Sequence, residues 1–335
     1  VSEKLTALPR VCCAPTGFSR LHGVVKHRRA RDTAGMEWNP TGHDPVLLNE
    51  VIESLGLAEG RSIVDCTLGR AGHASAIADR LGPAGLLVGL DADPRNLEFA
   101  QARLTDAPCR TRLFHANFSD LAEVFSTANL DPADGILADL GISTNQLFDP
   151  DYGLSFSSEM PLDMRIDPRT PRTAADWVNQ TPEEDLANVL YNLADERYSR
   201  RIARKIVEAR RQSPINSTDR LANLVRSAIP TKYGPPDRID PATRTFMALR
   251  MAVNDEVGNL RILLEQFPRF LKPGGRMAVI SFHSVEDRMV KQAFRSAEQT
   301  GLVEVTTKRP ITPSESELAR NPRSRSAKLR VATKR

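Results

Sequence analysis

The chain has 335 residues, room for two domains at roughly 100–200 residues each. Its composition, 40% hydrophobic and 26% charged, suits a soluble globular protein, and no apolar run approaches the ~18 residues of a membrane span. The net charge of +4, from 46 basic and 42 acidic side chains, excludes an overall polycation and leaves the choice of partner to how charge is distributed.

Residues 1–35 are rich in Arg and Lys, carry only Glu3 and Asp32 as acids, and lack the apolar stretch of a secretory signal. A mitochondrial presequence has this composition. A start upstream of Met36 explains it more simply, and residues 1–40 are expected to form a poorly ordered extension. The cysteines, Cys12, Cys13, Cys66 and Cys109, form no C-x-x-C pair, so a reduced, cytoplasmic protein without a structural metal is expected.

Strands and helices alternate from residue 46. VLLNEVIESLGL (46–57) has helical spacing, SIVDCTL (62–68) is a short β-branched run, and ASAIADRLG (74–82) is a helix closed by Gly82. LLVGLDAD (86–93), TRLFHANF (111–118) and DGILADLGIS (134–143) supply further strands. Pro94 opens the intervening helix, and another helix is expected near 120–128. This alternation predicts an α/β fold with a doubly wound, mostly parallel sheet.

The alternation breaks over 147–242, where helical patterns dominate, as in 181–211 and 218–229. Thr181 with Glu184 has the spacing of a capping box, and Pro182 suits a first turn. The segment is bracketed by turn-rich FDPDYG (148–153) and YGPPDRIDP (233–241), and it is expected to be an all-helical insertion. Strands resume at 276–283, after the turn LKPGG (271–275), and continue at 302–309 and 326–333; Ser284 with Asp287 matches a second capping box.

DCTLGRAGH (65–73) places a glycine turn directly after a strand, where a ligand approaches backbone closely. Asp91, at the end of the next strand, can accept hydrogen bonds from both hydroxyls of a ribose. The spacing of Gly69 and Gly72 is not that of G-x-G-x-x-G, which disfavours a nicotinamide dinucleotide and suits a nucleoside cofactor such as S-adenosylmethionine. Asp139 closes the fourth strand at the carboxyl edge, able to accept from an attacking amine or from the cofactor. His283 follows a later strand; a loop histidine without a role is as good a reading as a functional one. Arg197, Arg201, Arg204 and Lys205 lie close to one face of a helix whose Ile202, Ile206 and Ala209 mark another. From Arg320 onward there are seven basic residues and no acid. Both basic groups suit RNA phosphate, and both equally suit a solvated surface. The residues alone also leave room for a protein or small-molecule methyltransferase, or a non-catalytic RNA-binding assembly factor.

Taken together, the blocks GHDPVLLNEV (42–51), GRAGH, DADP (91–94), DLGIS, GLSF (153–156), PLDMR (161–165), DPATRTFMALR (240–250), ISFHSVEDR and NPRSRSAKLR (321–330) resemble the bacterial family of small-subunit ribosomal RNA cytosine-N4 methyltransferases. The resemblance covers nearly everything after residue 40. It implies a seven-stranded Rossmann-like methyltransferase domain over 41–146 and 243–335, with 147–242 as an inserted RNA-recognition domain. It implies cofactor contacts at Ala71, Gly72, His73, Asp91, Phe118, Asp139 and Gln146, with Asp91 on the ribose and Phe118 near the adenine. Ala71 stands where the family often has glycine. Asp139 is the candidate catalytic residue, no metal is implied, and Arg201, Arg204, Lys205, Arg323 and Arg325 are candidate RNA contacts. The implied substrate is a cytidine in the decoding region of 16S rRNA within an assembled or nearly assembled small subunit. Asp139-Leu140-Gly141-Ile142 departs from the Asp/Asn-Pro-Pro-aromatic motif of DNA amino-methyltransferases, so N4 as acceptor rests on the resemblance.

Overall fold

The structure is a computed structural model that describes residues 45–230 and 240–335. The expected extension over 1–40 and most of the turn-rich segment at 233–241 lie outside the described residues. In chain order the elements are α1 (Leu48–Leu55), β1 (Ser62–Asp65), α2 (Gly72–Leu81), β2 (Leu86–Asp91), α3 (Pro94–Arg103), β3 (Arg110–His115), α4 (Leu121–Thr127) and β4 (Ala133–Asp139). A helical stretch follows: α5 (Thr144–Phe148), α6 (Ala174–Gln180), α7 (Glu183–Ala194), α8 (Ser199–Arg210), α9 (Thr218–Ala228), α10 (Ala242–Val253) and α11 (Glu256–Gln266). The chain then returns to the sheet with β5 (Leu271–Ser281), α12 (Ser284–Gln299), β6 (Val303–Val305), α13 (Glu315–Arg320) and β7 (Lys328–Lys334).

The seven strands form one sheet in the order β3-β2-β1-β4-β5-β7-β6. The first five pair in parallel, and β7 runs antiparallel between β5 and β6. This is the doubly wound, mostly parallel sheet that the strand–helix alternation predicts. Helices cover both faces, which is why the strands are nearly continuous apolar runs. Successive residues serve opposite cores: Val64, Ile136 and Val279 pack on one face, while Ile63, Leu137 and Ile280 pack on the other.

The helical stretch has a core of its own. Leu186, Leu190, Ile202, Ile206, Leu221 and Val225 meet there with Tyr152, Leu154 and Met164 from the preceding loop. Gly153 joins loop to core in a left-handed conformation (φ 61°), and an added Cβ would strike the Pro161 carbonyl. α10 belongs to this same core through Phe246, Leu249 and Val253. A division at residue 242 therefore assigns to the sheet a helix whose apolar face packs on the helices. Among the described residues, no helix is long and apolar enough to cross a membrane.

Several local expectations need correction. The 181–211 pattern is two helices, and Thr181 with Glu184 forms no capping box. Pro182 is the N-cap of α7 without a side-chain cap, and the Thr181 hydroxyl accepts from Arg172 instead. The second expected capping box is replaced by a single cap one residue earlier: His283 caps α12, its Nδ1 accepting from Glu286 N–H at 3.4 Å. Asp287 is drawn to Arg330 and Lys328 across the end of the sheet. LKPGG is a bulged start of β5, since Leu271 pairs with Ala133 before the register shifts. Finally, the strand expected over 302–309 is only three residues, because β6 is an edge strand with one neighbour.

Candidate functional site

The parallel strands end at one edge, and their carboxyl-terminal residues build the site. β1 ends in Asp65, whose Oδ1 accepts from Thr67 N–H at 3.0 Å. The Thr67 hydroxyl reaches sideways and accepts from Asp139 N–H at 2.6 Å, tying the first turn to the end of β4. The turn continues through Gly69, whose N–H donates to Asp91 Oδ2 at 2.7 Å. Thus the glycine loop and the acid twenty-two residues later, matched in sequence only by spacing, are hydrogen-bonded to one another.

The turn ends at Ala71, the N-cap of α2, in a left-handed conformation (φ 59°, ψ 36°) and fully buried. Only glycine adopts this backbone routinely; an L-residue with a Cβ costs roughly 1–2 kcal/mol there. Glycine is therefore the residue the geometry prefers. The consequence of the alanine is backbone strain more than intrusion into a ligand site.

Three acids at this edge are held in unusual states. Burial pushes Asp91 up to about 7, against the pull of the Asp93 and Gly69 N–H donors. Burial likewise raises Asp65 to about 6. Asp139 is raised well above the carboxylate range by burial, then by the charges of Asp65 and Glu286. Its Oδ2 lies 3.6 Å from His73 Nδ1, while Oδ1 is a buried atom without a hydrogen-bond partner. His73 is set by Val46, whose carbonyl is 2.9 Å from Nε2. Gly72 begins α2 beside it.

Phe118 opens a 3-10 turn beyond β3, capped by Asn117 and Asp120. The neighbouring Ala116 N–H donates to Asp91 O, so this turn lies beside Asp91. Gln146 is buried, but its amide is used within the protein: Oε1 accepts from Ser143 N–H and Nε2 donates to Asp93 Oδ2 at 2.7 Å. Asp93 is the hub that sequence reasoning missed. It caps α3 and also accepts from the Tyr152 hydroxyl at 2.6 Å. Its place before Pro94 marks the cap; nothing in the sequence ties it to Tyr152, fifty-nine residues on.

A second polar group lies at the ends of α10, β5 and α12. Arg250 donates to both oxygens of Glu256, at 2.7 and 2.9 Å. His283 Nε2 is 3.1 Å from Glu286 Oε1, and Glu286 Oε2 accepts from Phe282 N–H. One ligand-type atom from each of Glu256, His283 and Glu286 falls within 4.8 Å of the others. The guanidinium already occupies Glu256, so this is a self-neutralising network more than a cation site. It supplies the negative charge of Glu286 that Asp139 feels.

The basic candidates occupy two places. Arg201, Arg204 and Lys205 are exposed on α8, with Arg204 only 3.7 Å from Glu183. Arg323, from the 3-10 turn before β7, lies at the carboxyl edge, where Nη1 donates to the Thr144 hydroxyl at 2.7 Å; Arg325 beside it is exposed.

The model of the MraW methylase family matches residues 40–335 of this chain. Among its relatives, the ribosomal RNA small subunit methyltransferase H of Acidobacterium capsulatum is 46% identical over 301 residues, 88% of this chain and 98% of that protein. The protein of the same name from Solibacter usitatus is 47% identical over 289 residues, 86% of this chain and 98% of the relative. Among solved structures, an rRNA methylase from Streptococcus thermophilus is a distant likeness, with 11% identity and a TM-score of 0.40 over 86% of this chain and 93% of its own.

Proposed function

The chain belongs to the MraW methylase family, which makes it an S-adenosylmethionine-dependent methyltransferase of 16S ribosomal RNA, and we propose that its acceptor is the exocyclic N4 of a cytidine in the decoding region. The choice of cytosine N4 rests on the family resemblance, and the observation that supports transfer to an amine is the carboxyl edge. A strained backbone turn, an acid bonded to that turn, and an acid with one uncommitted buried oxygen converge on one place.

These residues fit the cofactor. Asp91 spends one N–H contact per oxygen on Gly69 and Asp93, with a longer one from Asn96, and so keeps acceptor capacity for ribose hydroxyls. Ala71, Gly72 and His73 border it from the turn, and Phe118 supplies an apolar surface for the adenine. Gln146 acts through Asp93, which it holds in place. When bound, S-adenosylmethionine supplies an electrophilic methyl group on a sulfonium, ready for direct in-line displacement.

Cytosine N4 is a weak nucleophile because its lone pair is conjugated with the ring. The base must leave its surroundings, and N4 must be aligned behind the methyl group. Asp139 Oδ1 is the acceptor for an N4 hydrogen: it holds the amine in line and takes up the proton that N4 sheds on methylation. The helical segment, with Arg201, Arg204 and Lys205 exposed, positions RNA through phosphates, while the pocket selects the base. The substrate in this reading is an assembled or nearly assembled small subunit in the cytoplasm.

The test is to incubate the protein with methyl-labelled S-adenosylmethionine and unmodified small subunits, then digest the RNA to nucleosides. Label in N4-methylcytidine supports the reading. Label in any other nucleoside overturns the choice of acceptor.

A further inference from the structure

Phe148 is the last residue of α5, nine residues beyond Asp139, and it is 43% exposed. A single exposed aromatic needs no explanation. Its surroundings make this one unusual. The Arg323 guanidinium lies over the ring, 4.8 Å from its centroid. The same guanidinium donates to Thr144 Oγ1 at the other end of α5, so ring and cation are held as a unit.

Arg323 is half-buried, and burial lowers its pKa with no carboxylate acting in the other direction. Among the described residues no acid pairs with it. The acids that follow Phe148 in the chain, Asp149 and Asp151, are both taken by Arg95. A half-buried guanidinium without a counter-ion, with most of its five N–H donors unspent, is suited to an incoming anion.

The topology places this unit beside the site. β7 is antiparallel to β5, with Lys328 opposite Ser281, so the turn that carries Arg323 emerges at the carboxyl edge. α5 leaves that edge directly after β4, and its Gln146 is bonded to Asp93.

We propose that Phe148, Arg323 and Thr144 form a seat for one nucleotide of single-stranded RNA next to the target: its base stacks on the open face of Phe148 and its phosphate is held by Arg323. This deepens the RNA reading above and rests on it. The chemistry is that of other single-strand binders, an aromatic face for the base and a planar cation for the backbone. It gives the extruded cytidine a fixed neighbour, so that the chain reaches Asp139 from a defined direction.

The experiment measures anisotropy of a fluorescein-labelled oligocytidine on the full chain saturated with S-adenosylhomocysteine, alongside methyl transfer to small subunits. Phe148→Ala is expected to weaken oligocytidine binding roughly tenfold, the size of one lost base stack, and Phe148→Leu should do nearly the same. Phe148→Tyr should retain affinity. Arg323→Gln should weaken binding and lower the salt slope by about one counterion. Affinity for S-adenosylhomocysteine should be unchanged in the Phe148 variants, since an exposed ring is removed. Unchanged oligocytidine binding in Phe148→Ala overturns the proposal. So does full activity of Phe148→Leu, which would mean that apolar contact with a protein suffices. Failure of the wild-type chain to methylate subunits while it binds oligocytidine in this pattern would sink the acceptor reading and leave the seat standing.

Discussion

The carboxyl edge of the sheet and the helical segment handle charge in opposite ways. At the edge Asp65, Asp91 and Asp139 are drawn out of water and held by backbone N–H groups or left with an open oxygen. In the helical segment apolar residues form the core, and Arg201, Arg204 and Lys205 of α8 stay in water. Buried polar groups are costly to disturb and specific in geometry; exposed charges are cheap to change and act at longer range. The proposed reading puts the small cofactor in the first environment and the large RNA polyanion in the second.

The sharpest way to break this contrast is Asp91→Ala. It removes the acceptor for Gly69 and Asp93 N–H together with the expected ribose contact. Affinity for S-adenosylhomocysteine should fall at least about 100-fold by calorimetry, and Tm should drop as two N–H groups lose their partner. A change under about threefold would remove Asp91 from the site.

Asp139 sharpens the contrast through pH. Its pKa is raised by burial and by Asp65 and Glu286, with His73 facing its Oδ2. A sulfonium bound beside it, as proposed, would favour the anion, so binding of S-adenosylmethionine should expel a proton. The sign follows: affinity for S-adenosylmethionine rises with pH up to the raised pKa of Asp139, by up to about tenfold per unit. S-adenosylhomocysteine, which lacks the positive charge, should show a flatter profile. In Asp139→Asn the two profiles should converge, and turnover should fall on the order of 100-fold. Parallel profiles for both ligands in the wild-type chain would show that Asp139 does not face the sulfur.

On the helical side, reversing Arg201 and Arg204 to Glu should raise KM for small subunits about tenfold and reduce its salt dependence, with cofactor affinity and Tm nearly unchanged. An unaltered KM would move the RNA face away from α8. The smallest expected effect is Ala71→Gly, which relieves a left-handed alanine at the cost of unfolded-state entropy. The net gain should be about 1 kcal/mol or less in denaturant unfolding, and a loss would show that the buried methyl group packs usefully.

Much of the sheet was legible because a strand buried on both faces must be a continuous apolar run, and Ile63-Val64 and Ile136-Leu137-Ala138 are such runs. The glycine turn and Asp91 were legible because a tight turn after a strand calls for glycine and the acid closes the next apolar run. The capping residues were misplaced by one position, since Thr181 and Ser284 fit a cap as well as the residues that follow or precede them. Local spacing has no way to choose between Ser284 and His283. That choice is made by Asp287, which is held by Arg330 forty-three residues away.

The doubly wound sheet, the helical interruption, the glycine turn after β1 and the acids that end β2 and β4 can be read from the chain alone, because periodicity and turn chemistry are local. Packing in three dimensions is what makes Asp93 gather Gln146 and Tyr152, sets the charge of Glu286 near Asp139, and lays Arg323 over Phe148. Each of these joins residues from separate elements, and side chains that meet through space leave no period in the chain.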